Sequence, residues 1–583
     1  MRGILSMEKK EMFERWLSNA VEDQDLVQEL NGMKENEDAI AESFDRELKF
    51  GTAGLRGIIG AGTNRMNIYT VRKATQGLAN FLNKKYEHPS VAIAYDSRIK
   101  ADVFAKEAAK VLAANGVKAY LAAELQPTPV VSYAVRTLKA SAGIMVTASH
   151  NRAKFNGYKC YGSDGCQMTD VNANAIYDEI QQVDYFNGDI KVADFDEAMR
   201  NGLIEWIADS LYDTYLDCVM AQTIRPGICE GSAMKVVYTP LNGAGNKLVR
   251  KVLDKTGVKN VIIVPEQELP DGNFTTCPYP NPEEKEALTL GLALCQKEQA
   301  DLLLATDPDS DRVGIAVRKK DGTYRLMSGN ETGILLMNYI LSGRREAGTL
   351  PEKPVAVRTI VTSKLIDKIC ADFGCELKVV LTGFKYIGEQ ILLLEQKNEE
   401  NRYVFGFEES YGYLAGTYVR DKDAVVASML ICEMAAYYHQ QNKTLDDVMN
   451  ELYQKYDHYL NETRSYEFEG LAGMKTMANI MTALRNTPPT EIAGYTISEL
   501  ADYQESYSKD LTTGATTVIT LPKSNVLSYT LSTGGAVIVR PSGTEPKIKI
   551  YVTAVGKSHD EAQDIANKTF ESITAYANIP TKK

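Results

Sequence analysis

The stretch that decides the fold runs from residue 90 to 149: SVAIAYD (90–96), ADVFAKEAAKVLAANG (101–116), VKAYLAA (117–123), TPVVSYAVRTLKA (128–140) and SAGIMVTAS (141–149). The short apolar runs rich in Val, Ile and Ala predict strands. The longer segments between them carry apolar residues at helical spacing, and the first ends at Gly116. Strand and helix in that rhythm predict βαβ units and a mostly parallel sheet. The rhythm returns in AMKVVYT (233–239), NKLVRKVLDKTG (246–257), VKNVIIV (258–264), EEKEALTLGLALCQKE (283–298) and ADLLLATD (300–307). It returns again in PVAVRTIV (354–361), SKLIDKICADFG (363–374), CELKVVL (375–381) and YIGEQILLLEQKN (386–398). Three such blocks suggest a repeated unit, although no residue-level repeat proves it. The tail from about 460 differs, with a helix around KTMANIMTALRN, strands AVIVRP and KIKIYVTAV, and a last helix HDEAQDIANKTFESITAYA; it reads as a separate α+β domain. At the other end, residues 8–32 predict one acidic amphipathic helix presenting Phe13, Trp16, Leu17 and Val21.

Composition sets the outer limits. A chain of 583 residues, 44% hydrophobic and 24% charged, is globular, of several domains, and neither coiled coil nor largely disordered. Its net charge of −12 repels nucleic acid and anionic membrane, so an anionic ligand needs a pocket where Arg, Lys, backbone N–H or a metal reverses the field. Nine Cys, an odd number without a CxxC pair, predict reduced cysteines and a cytoplasmic protein. The opening MRGILSMEKKEMFERW has no signal-peptide core, and no apolar run approaches the ~20 residues of a membrane span.

Five polar segments carry the chemistry, and ligands of a parallel sheet gather at strand carboxyl ends. Thr147-Ala148-Ser149-His150-Asn151 follows SAGIMV and precedes Asn156-Gly157-Tyr158-Lys159: a hydroxyl with His150 beside it and Lys159 nearby can act as a nucleophile, although Ser149 or Asn151 could equally cap a turn. Asp307-Pro308-Asp309-Ser310-Asp311-Arg312 follows ADLLLAT. Its alternating carboxylates repel one another without a cation, and such hard oxygens suit Mg²⁺. An EF-hand is excluded, since Arg312 and Arg318 stand where that loop needs Gly and Glu. Arg540-Pro541-Ser542-Gly543-Thr544-Glu545 offers a guanidinium fork, hydroxyls and open backbone for a phosphate. Gly406-Phe407-Glu408-Glu409-Ser410-Tyr411-Gly412 can bind sugar hydroxyls or be a surface turn. Gly51-Thr52-Ala53-Gly54-Leu55-Arg56-Gly57 can aim Arg56 at an anion; it is neither a P-loop nor a dinucleotide fingerprint. Lys385, in TGFKYIG, is a lone cation.

In this order the segments TASHN…NGYK, DPDSDRVG, GFEESYGY and RPSGTEPKIKIY resemble the α-D-phosphohexomutase superfamily over nearly the whole chain. The length and TGFKYIG resemble its phosphoglucomutase and phosphopentomutase branch. The resemblance implies an α/β fold of three related mixed α/β domains around a cleft plus a C-terminal α+β domain. The expected divisions are 1–218 with the phosphoserine loop, 219–328 with the metal loop, 329–458 with the sugar loop and 459–583 with the phosphate loop. It implies that Ser149 carries the phosphoryl group and that Asp307, Asp309 and Asp311 hold Mg²⁺ together with a Ser149 phosphate oxygen. Arg56 and Lys159 match positions near the phosphoserine, with Lys159, or else His150, moving a proton. Arg312, Lys385, Glu408 and Ser410 match substrate contacts, and Arg540, Ser542, Gly543 and Thr544 match the loop that grips the non-reacting phosphate. Departures are Arg152, where Pro is usual after TASHN, and Ser310, where Gly or Ala is usual.

The implied reaction interconverts glucose 1-phosphate and glucose 6-phosphate through a bisphosphate intermediate, with glucose 1,6-bisphosphate as activator. Ribose or deoxyribose phosphate is the alternative sugar. Mannose phosphate ranks third, because Phe384 and Lys385 occupy the segment where mannose-using members carry a recognition His. Two readings of other classes remain: an aspartyl-phosphate phosphatase with Asp307 as nucleophile, which leaves TASHN and RPSGT unexplained, and a non-catalytic phosphosugar-binding protein, which the intact Ser149 and aspartates argue against. The partner expected is a small phosphosugar, with no nucleic acid or membrane.

Overall fold

The computed structural model describes residues 7–51, 54–468, 470–542 and 547–580. Its strands form four sheets. The first joins β1 (Gly54–Ile58), β2 (Ser90–Tyr95), β3 (Lys118–Leu121), β4 (Ala142–Val146), β5 (Phe155–Gly162) and β6 (Ile204–Trp206) in the order β1-β5-β4-β2-β3-β6. The second joins β7 (Lys235–Thr239), β8 (Asn260–Ile263), β9 (Leu302–Thr306), β10 (Val313–Arg318) and β11 (Tyr324–Met327) in the order β11-β10-β9-β7-β8. The third holds β12 (Val355–Thr359), β13 (Glu376–Val380), β14 (Tyr403–Glu408) and β15 (Gly412–Leu414) in the order β13-β12-β14-β15.

One pattern runs through all three. A parallel trio (β3-β2-β4, β8-β7-β9, β13-β12-β14) is extended by an antiparallel strand that returns directly from its last member: β5, β10 and β15. The repeat that the residues alone do not prove is thus explicit in strand order. Helices cover both faces, so the central strands are apolar along their whole length; AGIMV, LLLAT and VAVRT are buried at every position.

The last sheet is antiparallel. Its strands are β16 (His458–Glu467), β17 (Glu491–Ile492), β18 (Tyr495–Asp502), β19 (Tyr507–Asp510), β20 (Thr516–Val518), β21 (Leu527–Leu531), β22 (Ala536–Pro541) and β23 (Lys547–Gly556). One buried cluster, from Ala92 through Leu304 to Tyr459, unites the first three units, whereas the last unit keeps a core of its own around Met481, Tyr529, Val539 and Phe570. The third and fourth units meet at a small seam, Ile360, Val361 and Leu381 against Val526, Ile538 and Tyr551, and at the start of β16, where Tyr459 joins the large cluster and His458 stacks on Tyr453. A core of its own and limited apolar contact with the third unit suit the last unit to move as a body.

One local expectation is corrected. Residues 8–32 form two helices, Met7–Asn19 and Gln24–Met33, because the Asp23 carboxylate accepts the Asp25 N–H and starts a new helix there; Val21 falls in the break and is exposed. The glycine-rich segment around Arg56, for which the residue pattern predicts no element, forms β1 from Gly54 to Ile58, an edge strand paired with β5, with Arg56 opposite Gly157. Among the described residues no helix is long and apolar enough to cross a membrane.

Candidate active site

The three-fold strand pattern explains why distant segments meet. TASHN joins β4 to β5, DPDSDR joins β9 to β10, and Glu409-Ser410-Tyr411 joins β14 to β15, so each is the same connection in a different unit. Each also contains one residue in the left-handed region: Ser149 (φ 53°), Ser310 (φ 51°) and Tyr411 (φ 64°). That geometry is costly for a side-chain-bearing residue and is held only where the surroundings impose it.

Hydrogen bonds stitch the loops together. Ser149 Oγ donates to Asp307 Oδ2 at 3.0 Å and lies 3.1 Å from His150 Nδ1. Thr128, at the start of the helix Thr128–Thr137, donates its N–H to the Asp309 carbonyl (2.8 Å) and its hydroxyl to Asp309 Oδ2 (2.7 Å). The N–H of Val313 donates to the Tyr411 carbonyl, and that of Ala424 to the Ser310 carbonyl. Lys159 Nζ reaches Asp309 Oδ2 at 2.7 Å and Asp311 Oδ2 at 3.2 Å, while Lys422 Nζ approaches Asp311 Oδ2 at 3.2 Å from the third unit.

Asp307, Asp309 and Asp311 are buried, and each offers an oxygen within 4.8 Å of the others. Burial, then the charges of Asp309 and Asp311, push Asp307 well above the usual carboxylate range. Asp309 and Asp311 move the other way: burial opposes it, but Lys159 outweighs that for Asp309, and Lys159, Lys422 and Arg312 do so for Asp311. Asp309 Oδ1 and Asp311 Oδ1 are buried and accept no hydrogen bond. Two orphaned carboxylate oxygens among three converging hard donors fit a divalent cation of the Mg²⁺ kind.

Residues without a sequence motif hold the Ser149 loop. Arg98, after β2 and buried, donates to the carbonyls of Ser149, Asn151, Arg152 and Phe155, the last two at 3.1 and 3.0 Å. Its Nε lies 3.3 Å from Asp96 Oδ2, and its guanidinium rests over the Phe274 ring. The same Asp96 oxygen accepts the Thr147 hydroxyl at 2.6 Å, and Thr147 Oγ1 in turn accepts the Ser149 N–H at 2.7 Å. Burial pushes Asp96 up to about 6 even though Arg98 pulls it down. The signal available in the sequence was a lone Asp and Arg in SVAIAYDSR, at a strand end. Lys422 and Asp421, in YVRDKD, had no signal; Asp421 accepts the Tyr161 hydroxyl at 2.8 Å and flanks Lys422 at 3.2 Å.

The other expected residues lie as follows. Arg56 is exposed on β1, and its charge reaches His150; burial first, then Arg312 and Arg56, hold that imidazole well below its ordinary value. Arg312 pairs with Glu283 at 2.7 Å. Glu408, buried at the end of β14, accepts the Gly383 N–H at 2.8 Å, and burial raises it; burial and Glu408 bring Glu409 to about 7. Ser410 is half-buried on the same turn. Lys385 Nζ pairs with Asp170 of the first unit at 2.8 Å. Arg540 stands opposite Lys549 in the β22–β23 ladder, and Lys549 feels the charges of Glu283 and Glu409, so this ladder faces the cleft. Ser542 donates its N–H to the Lys547 carbonyl; Gly543 and Thr544 lie outside the described residues. Arg152, the departure after TASHN, contributes its carbonyl to Arg98.

A hydroxyl, a carboxylate cage for a hard cation and surrounding lysine and arginine are the parts that phosphoryl transfer uses. Comparison with known proteins agrees. Family models for phosphoglucomutase/phosphomannomutase α/β/α domains I, II and III match residues 47–186, 213–322 and 328–456, and the model of that family's C-terminal domain matches 518–572. A phosphoglucomutase of Staphylococcus saprophyticus is 35% identical over 94% of this chain and 97% of its own. One of Staphylococcus aureus is 36% identical over 97% and 99%. The solved structure of parafusin, a phosphoglucomutase from Paramecium, in an open form, superposes with a TM-score of 0.69 at 17% identity, covering 91% of this chain and 96% of that one. The chain belongs to the phosphoglucomutase/phosphomannomutase family and is an intramolecular phosphotransferase of the isomerase class.

Proposed function

We propose that this enzyme interconverts glucose 1-phosphate and glucose 6-phosphate, with Ser149 as the phosphoryl carrier and glucose 1,6-bisphosphate as the activator that primes it. The observation that carries the reading is the 3.0 Å contact between Ser149 Oγ and Asp307 Oδ2, which joins the hydroxyl of one unit to the carboxylates of the next.

Asp307, Asp309 and Asp311 would hold Mg²⁺ with Ser149; when bound, the ion withdraws charge from the phosphoryl oxygens and makes the serine oxygen a better leaving group. This chain's own groups do the rest. Arg98 fixes the backbone that aims Ser149. Lys159, beside Asp309 and Asp311, serves the substrate hydroxyl that attacks phosphoserine, and His150 Nδ1, 3.1 Å from Oγ, takes the serine proton when Ser149 is rephosphorylated. Arg56, Arg312 and Lys422 neutralise phosphoryl charge. Glu408 and Ser410 take sugar hydroxyls, Lys385 lies at the edge of the same cleft, and Arg540, Ser542, Gly543 and Thr544 grip whichever phosphate is not reacting. The bisphosphate must turn over between half-reactions. A fourth unit on a small seam can open for that turn and close again to exclude water.

The divisions that suit this cycle are 1–218, 219–328, 329–458 and 459–583. Nine unpaired cysteines in an acidic chain fit a reducing compartment, and we place the enzyme in the cytoplasm. The test is a parallel assay of glucose, ribose and mannose 1-phosphates with Mg²⁺ and glucose 1,6-bisphosphate. The highest kcat/KM is expected for the glucose ester; a preference for ribose or mannose overturns the choice of sugar.

A further inference from the structure

A carboxylate has two oxygens, and in the loop at 307–311 each aspartate has one of them already engaged. Asp307 Oδ1 accepts the N–H groups of Asp311 (3.1 Å) and Arg312 (3.0 Å) from its own loop. Asp311 Oδ2 faces Lys159 and Lys422, each at 3.2 Å. Asp309 Oδ2 faces Lys159 at 2.7 Å and accepts the Thr128 hydroxyl, also at 2.7 Å. The opposite oxygens are left over. Asp307 Oδ2 accepts from Ser149, whereas Asp309 Oδ1 and Asp311 Oδ1 are buried and accept no hydrogen bond. Arg312 Nε, 3.8 Å from Asp311 Oδ1, is beyond hydrogen-bond reach. The loop therefore offers a cation one oxygen from each aspartate.

Thr128 supplies the one neutral side chain among these donors, and it comes from the first unit. It stands between Pro127 and Pro129 at the start of the helix Thr128–Thr137. Proline fixes φ on both sides of it, and a first-turn N–H has no partner inside its own helix. That N–H donates instead to the Asp309 carbonyl at 2.8 Å. One fully buried residue thus holds both the backbone and the side chain of Asp309. The last torsion of an aspartate is otherwise broad; gripped in this way, Asp309 keeps Oδ2 on Thr128 and Lys159 and presents Oδ1 alone. Lys159 by itself does not enforce this, because its flexible side chain is shared with Asp311.

Single oxygens suit one kind of ion. Mg²⁺ is small and demands near-octahedral geometry, and the two oxygens of one carboxylate are too close together to span an octahedral edge. Ca²⁺ is larger, takes roughly six to eight oxygens and accepts both from one carboxylate. Released from Thr128, Asp309 can turn and offer both of its oxygens. On the reading that the three aspartates hold a divalent cation, we propose that Thr128 is a positioning residue that sets the specificity of the site: its hydroxyl confines Asp309 to a single coordinating oxygen and so favours Mg²⁺ over Ca²⁺.

The test is calorimetric titration of Mg²⁺ and of Ca²⁺ into the metal-stripped full chain, without bisphosphate, for wild type, Thr128→Val, Thr128→Ser and Asp309→Asn. Thr128→Val keeps the size and the backbone N–H and loses the hydroxyl. Its Kd for Mg²⁺ is expected to rise about tenfold while that for Ca²⁺ stays level or falls. Thr128→Ser, which restores the hydroxyl, should lie within about twofold of wild type for both ions. Thr128→Ala gives the same reading if valine destabilises the fold. Unchanged Mg²⁺ affinity in Thr128→Val, equal weakening of both ions, or a serine variant as impaired as the valine one overturns the proposal. Asp309→Asn separates the proposal from the reading beneath it. A Mg²⁺ Kd that Asp309→Asn leaves untouched refutes the cation site and the proposal with it. Mg²⁺ binding lost in Asp309→Asn but intact in Thr128→Val refutes the role of Thr128 alone.

Discussion

Ser149 Oγ stands 3.0 Å from Asp307 Oδ2, although the two residues are 158 positions apart and belong to different sheets. The two loops follow equivalent strands, β4 and β9, so the contact is a product of the repeated unit, not of neighbourhood in sequence. If Asp307 and its two companions hold the cation that activates this oxygen, Asp309→Asn should lower kcat about a hundredfold or more. It should also weaken Mg²⁺ binding in a direct titration, and chelation should silence wild type reversibly. Full activity of the Asn variant in metal-free buffer would remove the carboxylates from the mechanism.

Arg98 should matter for kcat rather than for KM. Its guanidinium ties the carbonyls of Ser149, Asn151, Arg152 and Phe155 into one frame, and Asp96 links that frame through Thr147 to the Ser149 N–H. Arg98→Lys keeps a charge and loses the fork. A misplaced nucleophile costs up to about a hundredfold in rate, so kcat is expected to drop by that order while KM for glucose 1-phosphate stays within severalfold. An unchanged kcat contradicts the positioning role.

Gly157 is required by space. A Cβ there would lie 2.5 Å from the Thr147 carbonyl oxygen and 2.8 Å from that of Leu55, both backbone. Gly157→Ala must push β1 or the Ser149 loop aside. Overpacking of this kind costs about 1–3 kcal/mol, readable as a lower midpoint in urea, and activity should fall beyond what the loss of stability explains. A variant with wild-type stability and rate would show that the loop yields freely.

His458 opens β16, where the chain enters the last unit. Its ring stacks on Tyr453 at 3.8 Å, and its Nε2 faces His559 Nδ1 at 3.3 Å. Arg325 and Glu331 also face it. Burial first, then His559, lower its pKa from 6.5, so the folded protein binds the proton less readily than the unfolded chain. Its contribution is therefore present above about 6.5 and is lost as pH falls through the folded value. Thermal unfolding followed on lowering the pH should show a steeper loss in wild type than in His458→Gln. Identical slopes would exclude this pair as a source of acid sensitivity.

The sequence made the parallel cores legible because buried strands such as AGIMV and LLLAT are continuous apolar runs between amphipathic helices. It hid β1, whose glycines interrupt any strand-like apolar alternation although they let an edge strand lie close against β5. It hid the break at Asp23, where a single cap outweighs a continuing apolar stripe. In the site, motifs of several polar residues stood out, whereas Arg98, Asp96, Thr128 and Lys422 did not. Each is one polar residue at the end of an element, and its importance arises only when folding brings four carbonyls, or a carboxylate from another unit, within reach.

The most direct test of the central claim is to incubate the protein with glucose 1,6-bisphosphate and map the added phosphoryl group by peptide mass spectrometry. One phosphoryl group on the peptide containing Ser149, stable to acid and hydroxylamine and labile to alkali, with none on Ser149→Ala, is the expected result. Labelling that hydroxylamine removes, located on the Asp307 peptide, would contradict it.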